Sequence, residues 1–227
     1  IEHLATGAVL ALIPAGEFLM GDADGGDIAR PHQRVIRSAF YLGVTEVTQS
    51  QWEKVTGSNP SHFKGANLPV ETVSWDDCQE YLKRAGGGLR LPSEAEWEYA
   101  CRANTTTPFS FGYTITTDQV NCSTYGNEVK GRNRGRTVAA GSLPANPWGL
   151  HEMHGNVYEW CEDAEGWYPT RGTEEPVRPT GARNFRELRG GSYSNRASSC
   201  DAATRWGNPP ELRHKSFGFR LARTLPR

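Results

Sequence analysis

The chain carries helix-forming signals in only three short stretches, and this scarcity of helix limits the folds open to its 227 residues. Each stretch starts with a Ser or Thr that is followed three residues later by Gln, Asp or Glu, the arrangement of a capping box. Apolar residues then recur at helical spacing, and three glycines at 86–88 end the second stretch. With 25 glycines, 14 prolines and 7 tryptophans, and with β-rich pieces such as 34–41 and 217–221, the pattern predicts a loop-rich α/β (α+β) fold with short helices, small antiparallel sheets and aromatic anchors. The capping boxes lie at 48–51, 74–77 and 93–96.

Length and charge exclude several functional classes. No low-complexity linker divides the chain, so we expect one domain over residues 1–227. The apolar run at 8–13 is far shorter than the roughly 20 residues that a bilayer requires, which predicts no membrane span. The net charge of −1 argues against nucleic acid as a partner, and we favour a monomer. The chain begins at Ile1 without a basic region or a cleavage site, so no signal peptide is expected in this sequence and its compartment stays open.

The five cysteines are widely spaced and include no Cys-x-x-Cys pair. An odd, scattered set is a poor disulfide framework and a poor zinc site, so we expect several of these residues to be small buried hydrophobic side chains. The stretch 104–143 is rich in Thr, Asn, Gly and Arg and predicts a long loop, whose basic run at 130–136 we interpret as solvated. The cysteines are Cys78, Cys101, Cys122, Cys161 and Cys200.

Seven segments in order resemble the formylglycine-generating enzyme (sulfatase-modifying factor) domain family. They are 13–21 (IPAGEFLMG), 45–57 (beginning TEVT), 69–75 (PVETVSW), 90–102 (RLPSEAEWEYACR), 149–160 (GLHEMHGNVYEW), 188–192 (LRGGS) and 218–221 (GFRL). The resemblance covers nearly the whole chain and implies a C-type-lectin-like fold with extra loops. The family includes copper oxidases that make formylglycine, iron enzymes and domains used only for binding, so the resemblance alone does not settle function.

The catalytic cysteine pair of the family is incomplete here. The copper enzymes use two cysteines five residues apart after Gly-Gly-Ser, because Cu(I) is held between two sulfur ligands. In this chain the second position is Cys200, but the first is Asn195. We therefore expect no copper and no formylglycine synthesis, and a copper oxidoreductase or related modifying enzyme is the disfavoured alternative. A transition-metal site at His151, His154 and Glu159 is also disfavoured, because His154 belongs to the family's structural Met-His-Gly-Asn turn.

The family resemblance also implies a structural calcium site. Its ligands would be the carbonyl oxygens of Gly155 and Val157 and the carboxylates of Glu159 and Glu152. The alternative is that Glu159 only accepts hydrogen bonds from backbone amides of the turn. A second family site around 121–122 is not expected, because the matching loop is shortened and basic.

The segment 193–216, inside a variable-type region at 189–222, resembles the variable regions of proteins diversified by retroelements. Those elements mutate adenines, so AAC codons scatter into Tyr, Ser, Asp, His, Thr, Arg and similar residues, a composition found here. The variable proteins use the same lectin-type fold and display their variable side chains to solvent. The resemblance implies a non-catalytic protein that binds an unknown protein or peptide ligand, while an ordinary family member with drifted residues, or an interaction domain of another kind, remains the alternative.

We expect the ligand contacts to form a solvent-accessible patch, because aromatic side chains supply contact area and small polar ones supply adaptable hydrogen bonds. Trp206 is the expected hot spot if it is exposed, with a core tryptophan as the alternative. Arg205 and Arg213 are expected to brace the segment by pairing with carboxylates. No monosaccharide binding is expected, because the Glu-Pro-Asn and Gln-Pro-Asp signatures are absent. The predicted patch comprises Tyr193, Asn195, Arg196, Ser198, Asp201, Thr204, Trp206, Leu212 and His214.

Overall fold

The computed structural model describes residues 1–22, 30–126, 129–166 and 184–225, and these residues form three α-helices that confirm the capping boxes. Helix α1 spans Gln49–Thr56, α2 spans Trp75–Ala85 and α3 spans Glu94–Arg102. In each helix the N-cap hydroxyl accepts a hydrogen bond from the backbone N–H three residues on, and the side chain of that residue accepts one from the N-cap N–H. Such a cap stabilises a helix by about 1 kcal/mol, which matters for helices of two or three turns.

Eleven strands of the described residues form two sheets and one hairpin. They are β1 Glu2–His3, β2 Ala8–Ile13, β3 Gly16–Met20, β4 His32–Ile36, β5 Phe40–Gly43, β6 Leu89–Arg90, β7 Tyr158–Ala164, β8 Arg186–Arg189, β9 Arg205–Asn208, β10 Phe217–Gly218 and β11 Ala222–Thr224. The larger sheet has the antiparallel order β1-β2-β5-β11-β6. The smaller sheet has the order β10-β7-β8-β9, in which β10 is parallel to β7, and β3 pairs with β4 as the hairpin.

The two ends of the chain meet in the larger sheet. Leu42 on β5 lies opposite Ala11 on β2 and opposite Ala222 on β11. All of the named strands before β5 come from the N-terminal part, whereas β11 is the last strand of the described chain. The larger sheet therefore joins the first and the last strands of the described chain.

Aromatic side chains fill the core, as the composition predicts. Trp52 stacks on Tyr81 with ring centroids 5.1 Å apart, and Phe219 meets both rings edge-on at 6.0 and 5.4 Å. Trp97 and Trp160 are completely buried. Burying a large apolar side chain contributes about 2–3 kcal/mol to stability. The buried aromatic rings therefore stabilise a fold whose helices are short.

Several expectations from the sequence are confirmed. The mixed fold has few and short helices, and residues 104–143, where described, contain no named helix or strand. All five cysteines are buried, and none of them forms a disulfide. Within the described ranges, no helix combines the length and the apolar character that crossing a membrane would need.

Candidate functional site

The candidate site is the segment 193–216, which runs from the Gly-Gly-Ser turn after β8 to strand β10. Gly190 and Gly191 have φ values of 88° and 71°, a backbone conformation that favours glycine. A Cβ on Gly191 would lie 2.5 Å from Cys200 Sγ, and one on Gly190 would lie 2.9 Å from the Trp97 ring. The turn therefore requires both glycines, and it fixes the direction in which the segment leaves the sheet.

Most of the predicted ligand-contacting side chains are accessible to solvent. Trp206 on β9 is 54% exposed and Leu212 is 40% exposed, so the alternative of a core tryptophan does not hold. Three other predicted residues are half-buried and retain part of their polar surface. The exposed set comprises Arg196, Ser198, Trp206, Leu212 and His214, and the half-buried set comprises Asn195, Asp201 and Thr204.

Tyr193 is the exception, and its expected exposure was wrong. The side chain is 3% exposed, and its ring packs edge-on against Phe63 with centroids 5.4 Å apart. The glycine turn directs this residue inward, where its backbone N–H donates to the Asn156 carbonyl at 3.0 Å. Its hydroxyl is buried without a hydrogen-bond partner among the described residues, and burial raises the pKa of that phenol.

The segment has two parts with different neighbours. Its first part packs against the long loop: Ser123 N–H donates to Asn195 O at 2.8 Å, and Ala202 N–H donates to Pro108 O at 2.8 Å. Its second part lies at the start of α2, where Asp76 N–H donates to Pro210 O at 3.3 Å. The predicted residues are therefore brought to the surface by two separate anchorages, with β9 between them.

Arg205 and Arg213 brace these two anchorages, as predicted. The Arg205 guanidinium lies 2.5 Å from carboxylate oxygens of both Glu94 and Glu187, and this cluster is buried. Arg213 pairs with Asp77 at 2.5 Å on a more exposed part of the surface. Burial, together with the nearby Glu94 carboxylate, raises the pKa of Glu187 to about 8. The buried pair fixes β9 to β8 and α3, while the exposed pair ties the second part to α2.

Three further residues border the first part beside the predicted Arg196, and sequence reasoning missed these three as site residues. The Arg136 guanidinium lies 5.4 Å from the centroid of the Phe63 ring, and the Arg196 guanidinium lies 5.0 Å from that of Tyr125. Tyr125 is 70% exposed. We call Phe63, Tyr125, Arg136 and Arg196 the rim. They come from three distant parts of the chain, so only the fold brings them together.

Asn195 occupies the position of the missing cysteine, and its side-chain amide already takes part in a hydrogen bond. Ser192 Oγ donates a hydrogen bond to Asn195 Oδ1. Cys200 is fully buried, and its hydrogen bond with Cys122, together with burial, raises its pKa well above the usual range. A thiol with a raised pKa is a poor nucleophile at neutral pH, because the thiolate is the reactive form.

The carboxylates do not fit the calcium site that the family resemblance implies. Both oxygens of Glu159 accept hydrogen bonds from Arg220, at 2.6 and 2.7 Å, and one also accepts from Trp97 Nε1 at 2.7 Å. The two oxygens of Glu152 accept from the backbone N–H groups of Gly141 and Leu143 at 2.8 and 3.0 Å. A cation would have to displace these donors, so we assign no role to calcium.

A different carboxylate, which sequence reasoning missed, accepts hydrogen bonds from the turn. Glu46 is completely buried and accepts hydrogen bonds from Asn156 Nδ2 at 2.8 Å and from Val157 N–H at 3.3 Å. Burial raises the pKa of Glu46 well above its usual range. Glu46, and not Glu159, therefore accepts hydrogen bonds from the turn that contains Gly155 and Val157.

The two histidines of the turn region are held by local partners. His154 is buried, its Nδ1 lies 2.8 Å from Cys200 O, and its Nε2 lies 3.1 Å from Ser110 Oγ. Burial lowers the pKa of His154 to about 4, so the ring is neutral at physiological pH. His151 Nδ1 lies 2.7 Å from Leu143 O. Across the described residues, no group of three or more His, Cys, Asp or Glu side chains is arranged to hold a metal ion.

Comparisons with known proteins place this geometry in a family. The chain is 32% identical to the formylglycine-generating enzyme of Mus musculus over 206 residues, which cover 84% of the chain and 53% of that protein. It is 29% identical to the serine/threonine-protein kinase pkn1 of Chlamydia pneumoniae over 246 residues, which cover 95% of the chain and 38% of that protein. The chain thus spans between a third and about half of the length of these two relatives.

Two solved structures match almost end to end. Treponema denticola variable protein 1 superimposes with a TM-score of 0.81 and 25% identity, covering 97% of both chains. The structure of PvdO from Pseudomonas aeruginosa also gives a TM-score of 0.81 and 25% identity, covering 99% of this chain and 97% of that one. Residues 3–225 match the model of the sulfatase-modifying factor enzyme 1-like domain, so the chain belongs to this formylglycine-generating-enzyme-like family and has its C-type-lectin-like fold.

Proposed function

We propose that this chain is a non-catalytic ligand-binding protein of the variable-protein type, whose segment 193–214 contacts a protein or peptide ligand. The observation that carries the proposal is the exposure of five of the predicted contact residues on a segment whose start and middle are anchored by buried groups. Gly191 fixes the start of the segment, and Arg205 fixes its middle through Glu94 and Glu187. Exchangeable contacts on a rigid support are the arrangement that preorganised binding surfaces use. The similarity to Treponema denticola variable protein 1 supports the same function.

The chemistry of the surface favours a protein or peptide ligand. Trp206 and Tyr125 offer exposed aromatic area, and Arg136 and Arg196 offer guanidinium groups beside aromatic rings. Trp, Tyr and Arg are enriched among the residues that dominate the energetics of protein interfaces. The proposed contact surface therefore comprises the exposed part of the segment together with the rim.

The competing function is a copper-dependent oxidation of the formylglycine-generating type. The 32% identity to the Mus musculus enzyme favours it. The amide at Asn195 and the raised pKa of the Cys200 thiol oppose it, because a thiolate pair is needed for a soft Cu(I) ion.

A direct assay separates these two functions. We expect no aldehyde when the chain is incubated with a Cys-x-Pro-x-Arg peptide, Cu(I) and oxygen, while the Mus musculus enzyme serves as the positive control. The Asn195→Cys variant, which restores the five-residue spacing, is assayed in parallel. Accumulation of formylglycine by the unaltered chain would refute the non-catalytic proposal.

A display library tests the binding surface itself. Randomising Arg196, Ser198, Trp206, Leu212 and His214 should give mostly folded variants, from which panning on immobilised lysozyme should recover binders. The control library randomises five buried positions, Trp160, Leu188, Ala202, Phe219 and Leu221, and should give few folded variants. Equal loss of folded protein from both libraries would contradict the proposal.

Single substitutions test the same contrast between exposed and buried positions through the free energy of unfolding. Trp206→Ala should change the free energy of unfolding by less than about 1 kcal/mol, because the side chain is exposed. Trp160→Ala should lower it by about 3–5 kcal/mol, because that ring is completely buried. Urea unfolding of both variants measures the difference, and a comparable loss in Trp206→Ala would place that residue in the core.

The genomic locus tests the retroelement origin separately. We expect a reverse-transcriptase gene nearby and an adenine-rich near-copy of the 3′ end of this gene. Their absence would remove the retroelement origin and would leave the binding surface to be tested by the library.

A further inference from the structure

Two cysteines that are far apart in the sequence meet in the structure. Cys122 and Cys200 are 1% and 0% exposed and belong to one apolar cluster with Phe109 and Val120. Their thiols are hydrogen-bond partners. The amino-acid sequence shows no such pair, because Cys122 lies in the long loop and Cys200 lies in the segment after the Gly-Gly-Ser turn.

The backbone on both sides of Cys122 is fixed, on one side by the turn before β7 and on the other by the segment that contains Cys200. Asn121 O accepts from Asn156 N–H at 2.8 Å, and Ser123 N–H donates to Asn195 O at 2.8 Å. Cys200 itself is held by its N–H, which donates to Ala197 O at 2.7 Å. The backbone around each cysteine therefore brings the two thiols together, and their contact does not depend on the mobility of the two side chains.

The other three thiols have different surroundings. Cys101 Sγ lies 3.6 Å from His154 Nε2, and Cys161 Sγ lies 3.9 Å from Glu159 O. Cys78 belongs to the cluster around Trp52 and Tyr81. These residues provide natural controls for any thiol chemistry of the pair.

We propose that Cys122 and Cys200 are a disulfide-forming pair that, when oxidised, locks the 121–123 loop to the ligand-contacting segment. The oxidant is a disulfide of low molecular weight such as oxidised glutathione. One cysteine thiolate attacks the glutathione disulfide and releases one reduced glutathione, and the second cysteine thiolate then displaces the other. Two S–H bonds are lost, one S–S bond forms within the chain, and two molecules of reduced glutathione carry away the two electrons and the two protons.

Burial decides when this bond forms. Both thiols are inaccessible in the folded chain, and thiolate is scarce when the thiol pKa is raised. The pair therefore closes while the chain folds, and once formed it is protected from reduction. A crosslink over a loop of roughly 80 residues restricts the unfolded chain strongly and should raise the melting temperature.

Oxidative refolding tests the proposal. The full chain is refolded from denaturant in reduced and oxidised glutathione, the remaining thiols are alkylated, and the non-reduced digest is analysed by mass spectrometry. We expect one crosslinked peptide that joins Cys122 to Cys200, two hydrogens lighter than the reduced pair, and alkylation of Cys78, Cys101 and Cys161. A crosslink between other cysteines, or five alkylated thiols, would overturn the proposal.

Two further measurements distinguish the effect of the Cys122–Cys200 crosslink from a general change in stability. The oxidised protein should melt at a higher temperature than protein refolded in dithiothreitol, and Cys78→Ala should keep this difference whereas Cys122→Ala should abolish it. Hydrogen exchange at Ser123 and within 193–204 should be slower in the oxidised protein. If the crosslink forms and exchange is unchanged there, the inferred lock on the segment is wrong. None of these readouts needs the ligand, so their outcome is independent of the proposed binding function.

Discussion

Glu159 illustrates how a single buried side chain changes its role once its neighbours are known. The motif at 149–160 suggests a metal-binding carboxylate, but Arg220 from the Gly-Phe-Arg-Leu motif binds both of its oxygens. Both residues are essentially unexposed, at 1% and 0%. The two family motifs are thus the two halves of one ion pair, which joins β7 to the stretch between β10 and β11.

Removing the Glu159 charge should be severely destabilising. Glu159→Gln leaves the Arg220 guanidinium buried without its bidentate partner, and breaking a buried pair in this way costs about 3–5 kcal/mol. Urea unfolding measures the loss. The control is Glu80→Gln, which breaks the exposed pair with Arg84 and should cost far less, because solvent screens an exposed ion pair. Similar losses in both variants would show that the buried pair has no special weight.

Chelation should leave the fold unchanged. Because the oxygens of Glu159 and Glu152 already accept hydrogen bonds from protein donors, we expect the same melting temperature in EGTA and in excess calcium. Differential scanning fluorimetry of the chelated and calcium-loaded chain measures this. A higher melting temperature in calcium would mean that these donors yield to the ion and would restore the predicted ligand set.

Helix α3 is buried over almost its whole length, and it supports the site through the face that carries Glu94, Trp97 and Glu98. Glu94 and Glu98 project from it onto Arg205 and Arg189, and Trp97 between them contacts the glycine turn and donates to Glu159. A helix of 9 residues has little intrinsic stability, so its position depends on this face and on its cap. The element that positions the candidate site thus contributes no residue to the proposed contact surface.

Loss of the α3 cap should be measurable. Ser93 Oγ accepts from Glu96 N–H at 3.2 Å, and Ser93→Ala removes this bond, so we expect about 1 kcal/mol lower free energy of unfolding. Ser58→Ala, at an exposed position outside the helices, is the matched control. Equal stability of the two variants would mean that packing alone holds the helix.

Three buried ionisable groups make the stability of the whole molecule depend on pH, and they do not all act in the same direction. Burial raises the pKa of Glu187 to about 8 and that of Asp163 to about 6, and it lowers the pKa of His154 to about 4. The two carboxyl groups bind protons more tightly in the folded chain than in the unfolded one, so their contribution to stability falls as the pH rises towards these values. His154 acts in the opposite sense, because its contribution is lost as the pH falls from about 6.5 towards 4.

The range between pH 7 and 8 tests Glu187, the group of these three with the highest folded-state pKa. Asp163 is mostly ionised and His154 mostly neutral in both states there, so the free energy of unfolding should decrease with rising pH because Glu187 must ionise in its buried site. Burial also raises the pKa of Glu46, which acts in the same direction, so a Glu187 variant is needed to separate the two contributions. Glu187→Gln, which is always neutral, should show a smaller decrease. Urea unfolding at several pH values measures both slopes, with Glu80→Gln as a control that keeps the slope of the unaltered chain. Parallel slopes for the unaltered chain and Glu187→Gln would contradict the assignment.

The sequence by itself determined the local structure and the family. Capping boxes predict the starts of α1, α2 and α3 correctly, because the hydrogen bonds of a cap join residues only three positions apart. The ordered motifs predict the lectin-type fold, and the composition of 193–216 predicts a largely exposed segment, but the sequence left open whether Trp206 lies at the surface or in the core. Interactions between residues that are close in the chain can be recognised as local patterns in the amino-acid sequence.

Only the tertiary structure decided which distant groups meet. It buried Tyr193 against Phe63, paired Glu159 with Arg220, and brought Cys122 to Cys200. Each of these contacts joins segments that lie far apart in the chain, and the segment with Tyr193 and Cys200 leaves the smaller sheet through the left-handed glycine turn at 190–191. No local pattern records such partners, because the free energy that selects them comes from packing and charge pairing across the whole fold.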